Sequence, residues 1–308
     1  MSNKIELATT ETISQNYAGK AADNFISAAL LGASTIANGG VTVVTGVDYK
    51  YWIQKLDLST DLVKNATCDF TDTSTITLGD KALIPEEFQV NLELCKKNYV
   101  PTWTSLQNGF GLRDNLAPSF SSYLVAQVAA QVATRNETNI WSGVNATAGQ
   151  YDGFEVLTLA DGDVVDVTGI AVTAANVIAE LGKVEAAIPD SIRMEEDLNI
   201  YVPMNVWRHY ITALGAADYH QGSYQDGKPA QLAFSGINLF LAKGMTASKM
   251  IAARSSNLHF VTNIGADMND VATLDMKDKD GSDNVRIIMN WTAVVGYAYG
   301  AEIVRYSA

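Results

Sequence analysis

The chain has 308 residues, enough for two or more domains or for one elaborated domain. Charged residues make up 18% of it, below the roughly 25% usual in soluble domains, which is typical of a protein whose surface is covered by partners. The net charge of −13, from 21 basic and 34 acidic residues, disfavours broad electrostatic binding to nucleic acid. We therefore expect no specific nucleic-acid sequence among the partners.

The cysteine count and the N-terminus indicate the compartment. Two cysteines, Cys68 and Cys95, are too few for a disulfide framework, although a bond between these two stays open. Residues 1–16 lack the charged and then apolar pattern of a signal peptide. No apolar run approaches the roughly 20 residues that span a bilayer. The sequence predicts a soluble protein made in a cytoplasm, with no membrane partner.

Residues 1–46 have the composition of an arm without a core of its own. Residues 20–31 fit a short helix that buries Phe25, Ile26 and Leu30, and a Gly- and Thr-rich extended stretch follows. Such a segment cannot bury its apolar side chains alone, so we expect them to dock on another surface.

Residues 47–100 are strongly β in pattern. Around Tyr51, Trp52 and Ile53 bulky side chains alternate on both faces of a strand, and a second extended run ends at a turn signal, Gly79-Asp80. A third run, with Phe88, Val90 and Leu92 alternating with polar residues, is predicted to return along the first two. Pro85 must then lie at an edge or a bulge. A long ribbon of two to three strands and an ordinary core sheet fit this pattern equally well.

The stretch from Ala117 to Trp141 predicts one long helix. Pro118 suits a first helical turn, no Gly or Pro follows before the end, and the length corresponds to roughly 35 Å. Its outer side carries Gln127, Gln131 and Glu137, which is little charge for a free surface helix.

The remainder predicts an α/β unit and a β-rich end. Strands are expected at 153–160, 163–172 and 198–202, and helices at 173–188 and from Met204 to Gly215. A long Gly-, Gln- and Tyr-rich loop, which includes Tyr219 and Tyr224, follows. Strands around 235–243, 248–256 and 257–263 precede an acidic turn at 275–284 and a nearly continuous apolar run to the end.

No cluster of residues predicts catalysis, so we expect no enzyme, no catalytic residue and no cofactor. There is no Gly-rich phosphate loop, no nucleophile elbow and no cysteine beside a convincing histidine. The acidic turn offers Asp278, Asp280 and Asp283 as weak calcium ligands, but its spacing departs from the calcium-loop pattern and the closing bidentate Glu is missing. A solvated Asp-Gly turn is favoured.

The order of these elements resembles that of the major capsid protein of tailed bacteriophages, an α+β protein of the Hong Kong 97-type (HK97-like) fold. The stretch ALIPEEFQVNLELCKK resembles the returning strand of the family's extended loop, and GINLFLAKGM its Gly-led strand after the loop at the capsomer axis. KMIAARSSNLHFVTNIG resembles the segment that leaves the axial domain, and VRIIMNWTAVVGYAYGAEIVRY the paired closing strands. The resemblance covers essentially the full chain.

The resemblance implies four parts. The parts are an N-terminal arm at 1–46, an extended β-hairpin loop at 47–100, a peripheral domain at 101–141 and 256–297 with a long spine helix at 117–141, and an axial α/β domain at 142–255 and 298–308. The subunit interface it implies includes aromatic and aliphatic residues of the arm, the ribbon and the long loop. They are Phe25, Ile26, Leu30, Tyr51, Trp52, Ile53, Phe88, Val90, Leu92, Tyr219 and Tyr224.

The implied function is structural. Such subunits assemble as hexamers and pentamers into an icosahedral shell around double-stranded phage DNA, in the host bacterial cytoplasm, and end up in the virion. The implied partners are further copies of the chain, a portal and decoration proteins. Because the chain starts almost directly at the arm, a separate scaffolding protein or none is expected. Lys55, Lys64 and Lys81 do not match the family's Lys–Asn cross-link motif, so no cross-link is predicted.

Three other hypotheses remain. An encapsulin nanocompartment would have the same fold and hold an enzyme cargo. A soluble α+β ligand-binding or catalytic domain would be a monomer with a closed polar pocket. A tail or surface-layer protein would form tubes or sheets.

Overall fold

The computed structural model describes residues 15–18, 33–58, 63, 65, 68, 76–95, 118–216, 224–225, 228–229, 232–263, 270–277 and 279–308. Over these residues the fold is α+β, as predicted. The helices there are α1 (Ser34–Ala37), α2 (Pro118–Ser142), α3 (Phe154–Ala160), α4 (Val177–Ala186) and α5 (Met204–Ala216), with a 3-10 turn at Gly300–Glu302. None of these helices is both long and apolar enough to cross a membrane.

Sixteen strands are assigned within the described residues. They are β1 (Gln15–Ala18), β2 (Thr42–Val44), β3 (Tyr51–Leu58), β4 (Ile76–Leu83), β5 (Glu86–Cys95), β6 (Val165–Thr168), β7 (Leu198–Val202), β8 (Tyr224–Gln225), β9 (Lys228–Pro229), β10 (Ala233–Phe234), β11 (Ile237–Leu241), β12 (Met250–Arg254), β13 (Leu258–Thr262), β14 (Asp270–Asp275), β15 (Asn284–Tyr297) and β16 (Val304–Ser307).

The first sheet is organised around β15 and packs on the long helix. Its strands run β1-β14-β15-β13-β2, and β5 also pairs with β15. The predicted helix is confirmed as α2, whose buried Val125, Ala129 and Val132 pack against Val271 and Met289 of this sheet. The apolar stripe of the helix therefore packs on the sheet, as its periodicity indicated.

The third strand of the predicted ribbon is placed elsewhere. β5 does not return along β3 and β4; it pairs antiparallel with β15 over ten residues, from Glu86 opposite Ala293 to Cys95 opposite Asn284. Pro85 separates β5 from β4, which is the strand that returns along β3. Phe88 and Val90 on β5 pack against the body, so this strand gains more apolar burial there than in a ribbon.

The second sheet has the order β10-β11-β7-β12-β16-β6. Every residue of β7 is buried, in agreement with the predicted buried strand. Helices α4 and α5 supply Val177, Leu181, Val184 and Val206 to the core of this sheet.

The segment at 153–160 is a helix, α3, where a strand was predicted. Its apolar residues fit either period, and the helix buries Phe154, Glu155 and Thr158 on one side. The Glu155 carboxylate accepts hydrogen bonds from the backbone N–H of Thr246 at 2.6 Å and from the Lys249 ammonium at 2.9 Å. These bonds tie the connection between β11 and β12 to α3.

Both sheets share one core around the end of α2. Trp141 is fully buried, and its ring lies 4.9 Å from that of Tyr201 on β7, measured between centroids. The same cluster contains Phe260 of β13 and Tyr297 of β15. Because strands of both sheets contribute to it, the two six-stranded sheets and α2 pack as one body.

Candidate assembly surface

Strands β3 and β4 form a two-stranded sheet of their own, which we call the hairpin. Its pairing runs from Tyr51 opposite Leu83 to Leu58 opposite Ile76. Because side chains alternate along a strand, the hairpin has an inner face, which contacts the body, and an outer face. An isolated two-stranded hairpin is marginal in water, so the contacts of the inner face decide its stability.

Apolar side chains anchor the inner face. Ile53 and Leu83 are buried in a cluster with Val261 of β13 and Ala298. Leu83 fits over Gly296 so closely that a Cβ built at that glycine would lie 2.4 Å from a Leu83 methyl carbon. A residue without a side chain is needed at position 296 for this close contact.

Two lysines of the inner face lie over tyrosine rings of the body. The Lys81 ammonium is 3.9 Å from the ring centroid of Tyr297, and that of Lys55 is 5.6 Å from Tyr299. Both distances are within the range of cation–π attraction. Burial lowers the pKa of Lys81, while the nearby Asp161 carboxylate acts in the opposite direction. The Tyr297 hydroxyl donates to Asp161 Oδ2 at 2.8 Å.

The outer face of the hairpin carries large, exposed apolar side chains, and the Lys50 ammonium lies 4.7 Å from the ring centroid of one of them, Trp52. Trp52 is 53% exposed, Leu56 49% and Leu78 73%. Leu56 and Leu78 are directly opposite each other across the two strands. The polar pair Gln54 and Asp80 lies between them and Trp52, and exposed large apolar side chains with polar neighbours are typical of a protein–protein interface. The alternation of β3 could have identified Leu56, but the facing Leu78 required the strand register.

The structure separates the interface residues predicted from the sequence. Trp52 lies on the outer face, whereas Tyr51 and Ile53 lie on the inner face. Phe88 and Val90 pack against the core of this chain, and Leu92 on the same strand is 41% exposed. The structure describes no side chain for the remaining predicted interface residues. Phe25, Ile26, Leu30 and Tyr219 lie outside the described residues, and Tyr224 is described only by its backbone in β8.

From residue 33 onward the predicted arm is part of the body. Ala33 and Ile36 are buried in the main core, and β2 pairs in parallel with β13. The buried Glu137 carboxylate accepts hydrogen bonds from the Thr35 backbone N–H at 2.8 Å and the Thr35 hydroxyl at 2.7 Å. The sequence placed Glu137 on an outer polar face. That was wrong, because the carboxylate serves as the acceptor that fixes this segment to α2.

The acidic turn contains no metal site within the residues that the structure describes. Asp280 and Asp283 are exposed, and Asp278 lies outside the described residues. The Asp280 carboxylate accepts hydrogen bonds from the Ser282 backbone N–H and hydroxyl, which lowers its pKa. No group of three or more His, Cys, Asp or Glu in the described chain could hold a metal ion. The thiols of Cys68 and Cys95 are free.

Comparison with solved structures identifies the fold. The capsid of a native GTA particle is similar over 91% of this chain and 90% of its own, with a TM-score of 0.59 and 14% identity. The satellite phage P4 procapsid, solved with its size determination (Sid) protein, matches over 92% and 96%, with a TM-score of 0.58 and 9% identity. A virus-like particle from Pyrococcus furiosus matches over 94% and 99%, with a TM-score of 0.53 and 8% identity.

This chain has the fold of a capsid subunit. No protein-family model and no curated protein matches the sequence. The likeness extends over nine-tenths or more of this chain and of the capsid chains it matches. The uncovered apolar face of the hairpin is therefore the candidate assembly surface.

Proposed function

We propose that this protein is the major capsid protein of a tailed bacteriophage, which assembles as hexamers and pentamers into an icosahedral shell around double-stranded DNA. The observation that carries the proposal is a capsid-subunit fold over more than nine-tenths of the chain. A shell role uses surfaces rather than reactive groups, and it needs no catalytic residue and no cofactor.

The physical properties of the subunit suit this role. The outer face of the hairpin exposes Trp52, Leu56 and Leu78, and contact with a second copy would remove this apolar area from water. The net charge of −13 suits a wall that must not grip packed DNA tightly. A low content of charged side chains fits a subunit that neighbours cover.

The four-part division of the chain is part of the proposal. The peripheral domain, at 101–141 and 256–297, would contain α2, β13, β14 and β15, and the axial domain, at 142–255 and 298–308, the second sheet. The extended loop, at 47–100, would be the hairpin together with β5, and the pairing of β5 with β15 favours ending the loop before Pro85. The arm, at 1–46, would reach other subunits through residues before Ala33 other than β1, because β1 pairs with β14 and the segment from Ala33 packs in this chain.

The partners and location follow from the same proposal. The protein would contact further copies of itself, a portal, a separate scaffolding protein and decoration proteins, and it would reside in the virion after assembly in the host bacterial cytoplasm. The P4 procapsid includes a size determination protein, which supports a scaffold-type partner. The residues that the sequence predicted for the subunit interface remain proposed interface residues. Trp52 is favoured among them because its side chain is exposed.

A nanocompartment shell is the second candidate. The similarity to the virus-like particle from Pyrococcus furiosus favours it, although the TM-score of 0.53 is lower than that of the P4 procapsid, 0.58. Such a shell would hold an enzyme cargo instead of DNA. The contents of the purified particles separate the two.

The test is electron microscopy and light scattering of the full chain, co-expressed with the genes beside its own. Closed shells of uniform diameter support the proposal, and a stable monomer under those conditions overturns it. Native particles are then opened and their contents measured. Double-stranded DNA supports the phage capsid, whereas a protein cargo without DNA supports the nanocompartment.

A further inference from the structure

The base of the hairpin rests on a histidine. His259 lies on β13, and its ring centroid is 6.3 Å from that of Tyr51, the first residue of β3. Tyr51 packs against the cluster of Ile53 and Leu83 that anchors the inner face. The histidine therefore lies under the point where the hairpin joins the body.

Protonation of one ring nitrogen of His259, Nδ1, is energetically unfavourable while the hairpin is docked. Its Nδ1 atom is inaccessible to solvent and has no hydrogen-bond partner among the described residues. Protonation would place an N–H donor and a positive charge there without an acceptor, and a buried unsatisfied donor is costly. Burial accordingly lowers the pKa of His259.

The charged groups near His259 are paired with one another rather than with its ring. A groove of about 450 Å³ beside it is lined by the charged side chains of Arg254 and Glu302 and by the titratable Tyr51 and Tyr299. The Arg254 guanidinium bonds Asp197 at 3.0 Å and lies 3.9 Å from Glu195 and 4.0 Å from Glu302, so these three carboxylates already face a cation.

The other elements at this site add little negative charge. The Lys55 ammonium over Tyr299 adds positive charge on the hairpin side. β2, which pairs with β13 at His259, contains no charged residue, and the facing position on β15 is Gly296. None of these groups accepts a hydrogen bond from Nδ1 of His259.

We propose that His259 is an acid-sensitive switch of hairpin docking. While its imidazole is neutral, Tyr51 and the inner face stay packed on β13. When it is protonated, the hairpin is released from the body and its outer face is presented in another direction. The consequence for shell geometry rests on the proposed capsid function, whereas the docking step belongs to the single subunit.

The sign of the effect is fixed by linkage. The docked state holds a histidine whose pKa is below the ordinary 6.5, so docking is fully favoured above that pH and weakens as the pH falls below it. Between pH 7.5 and pH 5.0 protonation can favour the undocked state by up to about 30-fold, the limit that the ordinary pKa of 6.5 allows.

Hydrogen exchange of the dispersed full chain tests the switch. Amides of β3 and β4, corrected for intrinsic rates, are expected to exchange several-fold faster at pH 5.0 than at pH 7.5, up to the same limit of about 30-fold. The Leu56 N–H, which donates to the Tyr299 hydroxyl at 3.4 Å, reports docking directly. His259→Phe, an aromatic residue that cannot be protonated, should remove the pH dependence.

His209→Phe is the matched control, because His209 lies on α5 in the second sheet's layer. It should leave the pH dependence of hairpin exchange as in the wild type. A pH dependence that persists in His259→Phe overturns the proposal, as does its loss in His209→Phe alone. The effect on shell geometry is tested by comparing the particle diameter at pH 5.0 and pH 7.5. If the diameters are equal although hairpin exchange depends on pH, the proposed effect on shell geometry is wrong, whereas the docking switch is not.

These readouts separate the switch from the proposed function. Exchange is measured on dispersed subunits and does not depend on shells. Absence of shells at either pH would count against the capsid proposal, and the exchange data would still decide the role of His259.

Discussion

The carboxylate of Glu137, deep in the last third of the long helix, binds both the backbone N–H and the hydroxyl of Thr35, 102 residues earlier in the chain. The same hydroxyl accepts a hydrogen bond from Trp141 Nε1 at 2.7 Å. Thr35 therefore joins the arm to two successive turns of α2. This network makes residues 33–44 an integral part of the body.

Glu137→Gln should destabilise the fold. The amide has one acceptor oxygen for two donors, and bonds to a charged acceptor are the stronger kind, so we expect a loss of about 1–3 kcal/mol in the free energy of unfolding. Urea denaturation measures it. The control is Glu93→Gln on β5, where an exposed carboxylate pairs with Arg286 and the loss should be below about 1 kcal/mol. Equal losses in both variants would contradict the role of Glu137.

Removal of residues 1–32 should prevent closed shells and leave the body folded. Of the described residues the deletion removes only the edge strand β1, which pairs with β14, and it ends before the core residues Ala33 and Ile36. Removal of residues 1–46 should instead abolish cooperative unfolding, because it also removes β2 and the Thr35 network. Electron microscopy and thermal denaturation check the two outcomes. Shells that persist after the shorter deletion would show that the arm is not needed for closure.

Gly244→Ala should be strongly destabilising. A Cβ at this position would lie 2.0 Å from the Glu137 backbone oxygen, and a backbone atom within a helix cannot move aside. We expect a loss of about 3 kcal/mol or more, measured by urea denaturation. Gly182→Ala in α4 is the matched control, since a Cβ there meets nothing within 4 Å. It should stabilise by about 0.5–1 kcal/mol. If both variants changed the free energy of unfolding in the same direction, the close packing of Gly244 on α2 would be contradicted.

Leu78→Asp should prevent assembly without unfolding the subunit. Leu78 is 73% exposed, so the free energy of unfolding should change by about 0.5 kcal/mol or less, while a charge on the outer face opposes burial against a second copy. Particle yield by light scattering is the measurement. Met194→Asp, at an 88% exposed position far along the chain, is the control and should still give particles. Normal assembly of Leu78→Asp would exclude the outer face from the interface.

Asp161→Asn should show a pH-dependent loss of stability. The backbone N–H of Asp163 and the hydroxyl of Tyr297 bond the carboxylate and lower its pKa. Its contribution is therefore present above the ordinary value of 3.8 and is lost as the pH falls through the lower folded value. The variant should be less stable than the wild type by about 1 kcal/mol at pH 7, and the difference should shrink below pH 3.8. A constant difference down to pH 2 would refute this assignment.

The sequence by itself determined the elements whose pattern is local. The uninterrupted apolar period from Pro118 predicted α2, and the apolar run at 198–202 predicted β7. Pro85 was expected at an edge or a bulge of one strand, and in the structure it lies between β4 and β5, which pair with different strands. The resemblance to capsid proteins came from the order of such elements.

The tertiary structure alone decided which surfaces meet. The alternation of Phe88 and Val90 fits any partner strand, and only the fold pairs β5 with β15. The burial of Glu137 depends on Thr35, and the uncovered state of Leu78 depends on the hairpin's inner face being the one that meets Gly296. Periodicity predicts which side chains share a face of a strand or helix. Which element contacts that face is determined by packing between residues that are remote in the chain.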